Sequence, residues 1–106
     1  MLPAGTVTFL FTDIEGSTPL WESKPQAMKA ALARHHAILR EAIETNGGSV
    51  FGIVGDSFEA AFKVASHALQ AAIRAQCALL EESWGETGRL HVRMGLHAGL
   101  GEPAAR

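Results

Sequence analysis

Apolar and polar residues alternate, or form short β-branched and aromatic runs, in four segments of the chain. Such segments are typical of strands, and they cover residues 6–12, 50–54, 58–62 and 90–96. Two longer segments carry apolar residues at spacings of three and four, the period of an amphipathic helix. Their apolar positions extend from residue 28 to 43 and from residue 65 to 80. The pattern predicts the order β-α-β-β-α-β.

Turn and capping residues separate these segments. Ser23 and Gln26 have the spacing of a capping box, and Pro25 suits the first turn of the helix that follows. The Asn-Gly-Gly sequence at residues 46–48 predicts the end of that helix. The Gly-Asp pair at residues 55–56 predicts a two-residue hairpin between the second and third strands.

This order of elements is that of an α+β, ferredoxin-like fold, an antiparallel sheet with helices on one face. In that topology the first strand lies beside the third and runs antiparallel to it. The end of the first strand and the hairpin then share one edge of the sheet. Asp13 and Asp56 occupy those two positions, so the fold is expected to bring them together. Residues 99–106 are predicted to form a loose tail.

The two aspartates suggest a metal site. Neighbouring carboxylates repel each other unless a cation lies between them, and magnesium binds one or two carboxylates, waters and phosphate oxygens. The Glu15-Gly16-Ser17-Thr18 turn, followed by a short helical turn at Pro19, offers backbone N–H groups to phosphate. In the alternative interpretation, Asp13 caps the turn that follows it and Asp56 is only a residue of the hairpin turn. Each aspartate alone favours that alternative, whereas the pair favours a metal.

Other polar residues give weaker signals. His35 lies on the apolar stripe of the first long helix, where a packing role is expected. His91, Arg93 and His97 fall on one side of the fourth strand, which indicates a solvated surface by default and a partner surface as the alternative.

Composition narrows the function classes. A chain of 106 residues is expected to be a single domain, residues 1–106. The net charge of −2 and scattered basic residues exclude a basic nucleic-acid surface. No apolar run reaches membrane-spanning length, and a single cysteine gives no disulfide framework. These features predict a cytoplasmic protein.

Three stretches of the chain resemble the class III adenylate/guanylate cyclase catalytic domain in its bacterial form. They read GTVTFLFTDIEGST at residues 5–18, NGGSVFGIVGDSFEAAF at 46–62 and VRMGLHAG at 92–99. Their order and context match the family, and with the intervening helices they cover nearly the whole chain. The resemblance implies the ferredoxin-like fold.

The resemblance also implies roles for individual residues. Asp13 and Asp56 would hold two divalent ions, Mg²⁺ or Mn²⁺, with the backbone carbonyl of Ile14 as a further ligand. The turn from Glu15 to Thr18 would contact the triphosphate of ATP or GTP. The family's reaction is attack of the ribose 3′-oxygen on the α-phosphorus with release of pyrophosphate. Its active sites form between two domains, which implies a homodimer or a cyclase-homology partner.

Two departures from the family pattern limit this expectation. Gly52 stands where the family usually carries a purine-reading lysine, and glycine has no side-chain donor. The family domain also continues past the VRMGLHAG strand, and that part supplies the asparagine and arginine of the transition state. The sequence ends at Arg106, whose surroundings do not match that arginine, so little or no activity is expected of this segment. The alternative function is a non-catalytic module for dimerisation or regulation, which Gly52 favours and the retained aspartates disfavour.

Overall fold

A computed structural model describes residues 5–101 of the chain as one antiparallel four-stranded sheet with helices. The elements are β1 (Gly5–Ile14), α1 (Ser17–Ser23), α2 (Pro25–Thr45), β2 (Ser49–Val54), β3 (Ser57–Phe62), α3 (Ala65–Glu81) and β4 (Val92–Gly101), with a 3₁₀ turn at Gly85–Thr87. The predicted order is confirmed, and the helical turn expected at Pro19 is α1. None of the helices within residues 5–101 is long and apolar enough to cross a membrane.

The strands are arranged in the order β2-β3-β1-β4. β1 is central, and it pairs antiparallel with β3 on one side and with β4 on the other. β2 and β3 form the predicted hairpin, whose turn residue Gly55 has a φ of 62°, a left-handed value that favours glycine. The ferredoxin-like prediction is therefore confirmed.

The sheet has two unlike faces, because successive side chains of a strand point to opposite sides. The covered face carries buried residues of β1 and their cross-strand partners, namely Leu10, Thr12, Ile14, Ala60, Phe58 and Val92. α2 and α3 pack on this face through a core that includes Met28, Leu39 and Leu79. The open face carries the alternate positions, namely Phe9, Phe11 and Asp13 with their partners His97, Glu59 and Arg93. Within residues 5–101 no helix covers it.

α3 packs through small residues. Its buried positions are Ala68, Ala71, Ala75 and Leu79, whereas Leu69 and Ile73 of the predicted apolar stripe are about half exposed. Alanine lets α3 approach α2 and the sheet closely. The larger apolar residues Leu69 and Ile73 lie beside this contact surface. The helix was predicted correctly, but of its larger apolar residues only Leu79 is buried.

Two local predictions are wrong. Ser23 does not cap α2: it is the last residue of α1, and its hydroxyl donates to the Pro19 carbonyl at 2.9 Å, four residues earlier. Lys24 occupies the cap position without a side-chain hydrogen bond, and Pro25 opens the helix as predicted. The tail is not loose at its start, because residues 99–101 continue β4 in register with the beginning of β1. The rest of the tail, residues 102–106, lies outside the described part.

Candidate active site

The two aspartates lie at the same end of the sheet, as the topology predicted. Pairing between β1 and β3 reaches Thr12 and Phe58, so Asp13 directly follows the last pair on one strand. Asp56 belongs to the turn between β2 and β3, two positions before Phe58. Both aspartates are half-buried. Their binding of a common metal stays a prediction.

The Asp13 carboxylate is held by Arg93. The Arg93 Nε donates to Asp13 Oδ1 at 2.9 Å and one terminal nitrogen donates to Oδ2 at 3.1 Å, which makes a bidentate ion pair. The pair forms because the two residues are direct cross-strand partners on the open face. The hydrogen bond to Asp13, and next the negative charge of Asp13, raise the pKa of Arg93. The sequence by default indicates a solvated surface for Arg93, and only the register of β4 against β1 reveals its contact with Asp13.

A cavity of about 450 Å³ opens around this pair. Its polar lining includes Asp13, Glu59 and Arg93, and its apolar lining includes Phe11. Two carboxylates and one guanidinium leave the lining negative by one charge, which suits a ligand that arrives with cations. The cavity is therefore the candidate site on the open face.

The turn that carries Asp56 rests against two histidines of α2. The pKa of His35 is lowered to about 4, mainly by burial and next by the charge of His36, while the Asp56 carboxylate opposes this shift. The pKa of His36 is also lowered, first by burial, although a backbone hydrogen bond with Gly55 and then the charge of Asp56 act to raise it. Both imidazole rings meet the ring of Phe58 edge-on. The expected packing role of His35 is confirmed. His35 and His36 together pack against the hairpin from the side of α2.

The predicted phosphate turn connects β1 to α1. The Glu15 N–H donates to the His91 carbonyl at 2.7 Å, so this donor already has an acceptor. Gly16 is the N-cap of α1 with a φ of 68°, and Ser17 and Thr18 begin the helix. N–H groups in a first helical turn have no intrahelical acceptor, so Ser17 and Thr18 retain free backbone donors.

The base-specificity position, Gly52, faces a carboxylate from the neighbouring strand. Gly52 and Glu59 are cross-strand partners, and a Cβ added at Gly52 would lie 2.5 Å from Glu59 Oε1. Glu59 thus fills the space that a side chain at position 52 would occupy. The sequence does not single out Glu59, because only the strand pairing brings it opposite Gly52.

The side-chain and backbone oxygens at this end of the sheet determine which metal ion would fit. Within residues 5–101 no group of three or more histidines, cysteines and acidic residues could hold an ion by itself. Two carboxylates and a carbonyl are hard oxygen ligands, and they suit an ion that keeps waters and substrate phosphates. These residues fit Mg²⁺ or Mn²⁺ arriving with a triphosphate, and they do not fit zinc, which prefers nitrogen and sulfur.

Comparison with known proteins identifies the family. Residues 1–101 match the Adenylate and Guanylate cyclase catalytic domain. The chain belongs to this family. Cyclase domains generally use divalent metals, bind nucleoside triphosphates and function as dimers.

Individual relatives agree with this assignment. The chain is 39% identical over 82 residues to an adenylate cyclase of Podospora anserina, and 43% identical over 79 residues to the receptor-type adenylate cyclase B of Leishmania donovani. These matches cover 77% and 74% of the chain but only 4% and 6% of the relatives. A structure of adenylate cyclases from Trypanosoma brucei in their monomeric state superposes with a TM-score of 0.85 at 31% identity, over 91% of this chain and 57% of that one. This cyclase segment therefore spans a little over half of a solved catalytic chain.

Proposed function

We propose that the chain is the metal- and triphosphate-binding part of a nucleotidyl cyclase domain that converts ATP or GTP to a cyclic nucleotide and pyrophosphate. The observation that carries the proposal is the bidentate Asp13–Arg93 pair in the open-face cavity. It joins a carboxylate suited to a divalent ion with a guanidinium suited to phosphate. The metal ion of a metal–triphosphate ligand would thus match the Asp13 carboxylate, and its phosphates would match the adjacent Arg93 guanidinium.

The metal ligands in this proposal are Asp13, Asp56 and the backbone carbonyl of Ile14, and the ion is Mg²⁺ or Mn²⁺. Such ions neutralise charge on the phosphates and polarise the α-phosphorus. Asp13 would hold the ion with the carboxylate that now accepts from Arg93.

The triphosphate is bound by groups of this chain around the ions. Arg93 would pair with phosphate oxygens through its planar fork of N–H donors. The turn from Glu15 to Thr18 lies next to Asp13 in sequence, and the Ser17 and Thr18 N–H groups donate to the same phosphates. These contacts orient the chain of phosphates relative to the ribose.

The open face supports association with a second domain. Phe11 and Phe51 are each 42% exposed on this face, and exposed aromatic clusters mark interaction surfaces. We propose that a second copy, or a cyclase-homology domain, covers it. A non-catalytic dimerisation module is the second candidate function, and the absence of a side chain at Gly52 is the observation that favours it.

A cytoplasmic location is also proposed. Cys77 is an exposed free thiol, and such thiols persist in a reducing compartment.

Calorimetry with Mn²⁺ and each triphosphate tests the cyclase proposal. We expect the native chain to bind both metal and nucleotide, and Asp13→Asn or Asp56→Asn to weaken binding by roughly tenfold or more. Glu41→Gln, which removes an exposed charge on α2, is the matched control and should bind as the native chain does. No binding by the native chain would contradict the proposal and favour the dimerisation module.

An activity assay on the same proteins separates binding from turnover. Loss of a transition-state arginine costs roughly 10³–10⁵ in rate in related phosphoryl transfer. We therefore expect little or no cyclic nucleotide from these 106 residues alone. Robust turnover that Asp13→Asn abolishes would contradict this expectation and assign a transition-state role to a group such as Arg93.

A further inference from the structure

We infer that the outer edge of β4, together with the adjoining side of α3, binds an extended peptide whose apolar and acidic residues alternate. β4 runs for ten residues, Val92–Gly101, and β1 pairs with one of its edges. Within residues 5–101 no strand pairs with the other edge, so β4 ends the sheet on that side. An unpaired strand edge can accept a further strand through main-chain hydrogen bonds. The peptide would extend the sheet by one strand.

The register shows which backbone groups of β4 face outward. The His91 carbonyl accepts from the Glu15 N–H at 2.7 Å, so it points toward β1. In an antiparallel pair, the N–H and C=O of one residue point to one side and those of the next residue to the other. The pairing with β1 is regular from end to end, so the outward groups belong to Val92, Met94, Leu96, Ala98 and Leu100.

One of these outward groups shows how α3 lies against the edge. The Gln76 Nε2 donates to the Val92 carbonyl at 2.8 Å, so the side of α3 that carries Gln76 faces β4. Residues three, four or seven positions from Gln76 share this side of the helix. They include Leu69, Ile73 and Leu80, so α3 presents apolar side chains along the edge.

β4 adds apolar side chains to the same surface. Leu96 is the cross-strand partner of the buried Leu10, and it therefore points to the helical side of the sheet. Leu100 lies four positions further on and points the same way. We call these residues and those of α3 the apolar row, and their side chains are 43–74% exposed. The apolar row consists of Leu69, Ile73, Leu80, Leu96 and Leu100.

The other side of the edge is basic. Arg93 and His97 point to the open face, and Arg89 and His91 precede them at the same alternation. Residues 89–101 contain no aspartate or glutamate. The ion pairs found within residues 5–101 do not include Arg89. A partner strand with apolar residues toward α3 and carboxylates toward the open face would therefore complement both sides of the edge.

A cavity of about 350 Å³ joins the two sides at the start of the edge. Its lining includes Leu80 of the apolar row and the basic residues Arg89, His91 and Arg93, with Glu15 as its acidic residue. Such a lining fits a glutamate side chain, which has an aliphatic stem and a terminal carboxylate. A second copy of the chain fits less well, because antiparallel pairing of two β4 strands would bring their basic residues together on one face.

Fluorescence anisotropy with a labelled peptide tests the inference on the whole chain. The probe has about eight residues, the length of an ordinary strand, and alternates glutamate with valine. We expect saturable binding, and a peptide with lysine in place of glutamate should bind roughly tenfold or more weakly. Hydrogen exchange of the outward Met94, Leu96 and Ala98 N–H groups should slow by about tenfold or more in the complex.

Two variants test the backbone and the charge separately. Ala98→Pro removes an outward donor and keeps the pairing with β1, because proline suits an edge strand whose N–H faces away from the sheet. It should weaken binding about fivefold or more, whereas Ala98→Val keeps the donor and should bind as the native chain does. Arg89→Glu should weaken binding about threefold or more, and Arg40→Glu on α2 is its control.

The absence of saturable binding, equal affinity for the lysine peptide, or equal binding by Ala98→Pro and Ala98→Val would overturn the inference. A native dimer in sedimentation that Ala98→Pro dissociates would also overturn it, and would assign the edge to a second copy. These experiments contain no nucleotide, so their outcome is independent of the proposed function.

Discussion

The covered and open faces of the sheet are built from the same strands and differ in what their side chains do. On β1, Leu10 is 2% exposed and contacts the helical core, whereas its neighbour Phe11 is 42% exposed. On β3, Phe58 is fully buried, whereas the adjacent Glu59 is half-buried on the open face. Alternate positions of one strand thus serve the core and the candidate site separately.

Stability and recognition are separable in this domain. A shift of one residue in the pairing of β1 would exchange the two sets of side chains. The buried set on the covered face holds the register, and the register in turn sets Asp13 opposite Arg93. Substitutions on the two faces should therefore act on different measurements.

The largest expected effect lies on the covered face. Phe58→Ala removes a ring that is fully buried beneath the hairpin, and such changes lower the free energy of unfolding by about 3–5 kcal/mol. Phe11→Ala on the open face should lower it by about 1 kcal/mol or less. Urea denaturation of the two variants measures the difference. Similar losses would show that the open face also carries a core.

A second effect comes from His35, whose Nε2 is buried without a hydrogen-bond partner within the described residues. Its pKa of about 4 lies below the ordinary value of 6.5, because burial and then His36 disfavour the charged form against the opposing Asp56 charge. Between these values the unfolded chain binds more protons than the folded one. Stability should therefore fall with decreasing pH, by up to about 1.4 kcal/mol per pH unit.

His35→Leu should flatten this dependence in urea denaturation between pH 7 and pH 5.5. Leu39→Ala is the control, since it removes buried volume without removing a titratable group. It should lower stability at every pH and keep the native slope. A slope unchanged in His35→Leu would assign the pH dependence to another group, such as His36.

The smallest expected effect on stability belongs to the Asp13–Arg93 pair itself. The side chains are 43% and 64% exposed, and exposed ion pairs contribute about 0–1 kcal/mol. Arg93→Gln should change the free energy of unfolding by no more than this, and the change should shrink at high salt. Arg40→Gln, which removes the exposed pair with Glu44 on α2, is the matched control. A loss above about 2 kcal/mol would mean that the pair stabilises the sheet.

The architecture could be predicted because its signals are local. Periods of two and of three to four residues distinguish strands from helices, and glycine-bearing turns at residues 46–48 and 55–56 separate them. Once the order of elements was known, the topology set Asp13 and Asp56 at one end of the sheet. No contact between side chains was needed for these predictions.

The chemistry around Asp13 could not be predicted, because it depends on pairing between distant residues. Arg93 lies 80 positions from Asp13, and only the register of β4 reveals their ion pair. Glu59 reaches the space over Gly52 through a register irregularity in β2 next to that glycine. The incorrect cap at Ser23 has a different cause, since α1 extends to this residue and the serine hydroxyl bonds backward within it.

The central position of β1 bears on how the chain folds during synthesis. Of the described elements, β1 is synthesised first and its partner β4 last. Closing so long a loop is entropically unfavourable and slow. Until residues 92–101 emerge, one side of β1 is an unpaired edge open to aggregation. The Asp13–Arg93 contact therefore belongs to the last closure, and a nascent chain remains without its candidate site until nearly the whole segment has been translated.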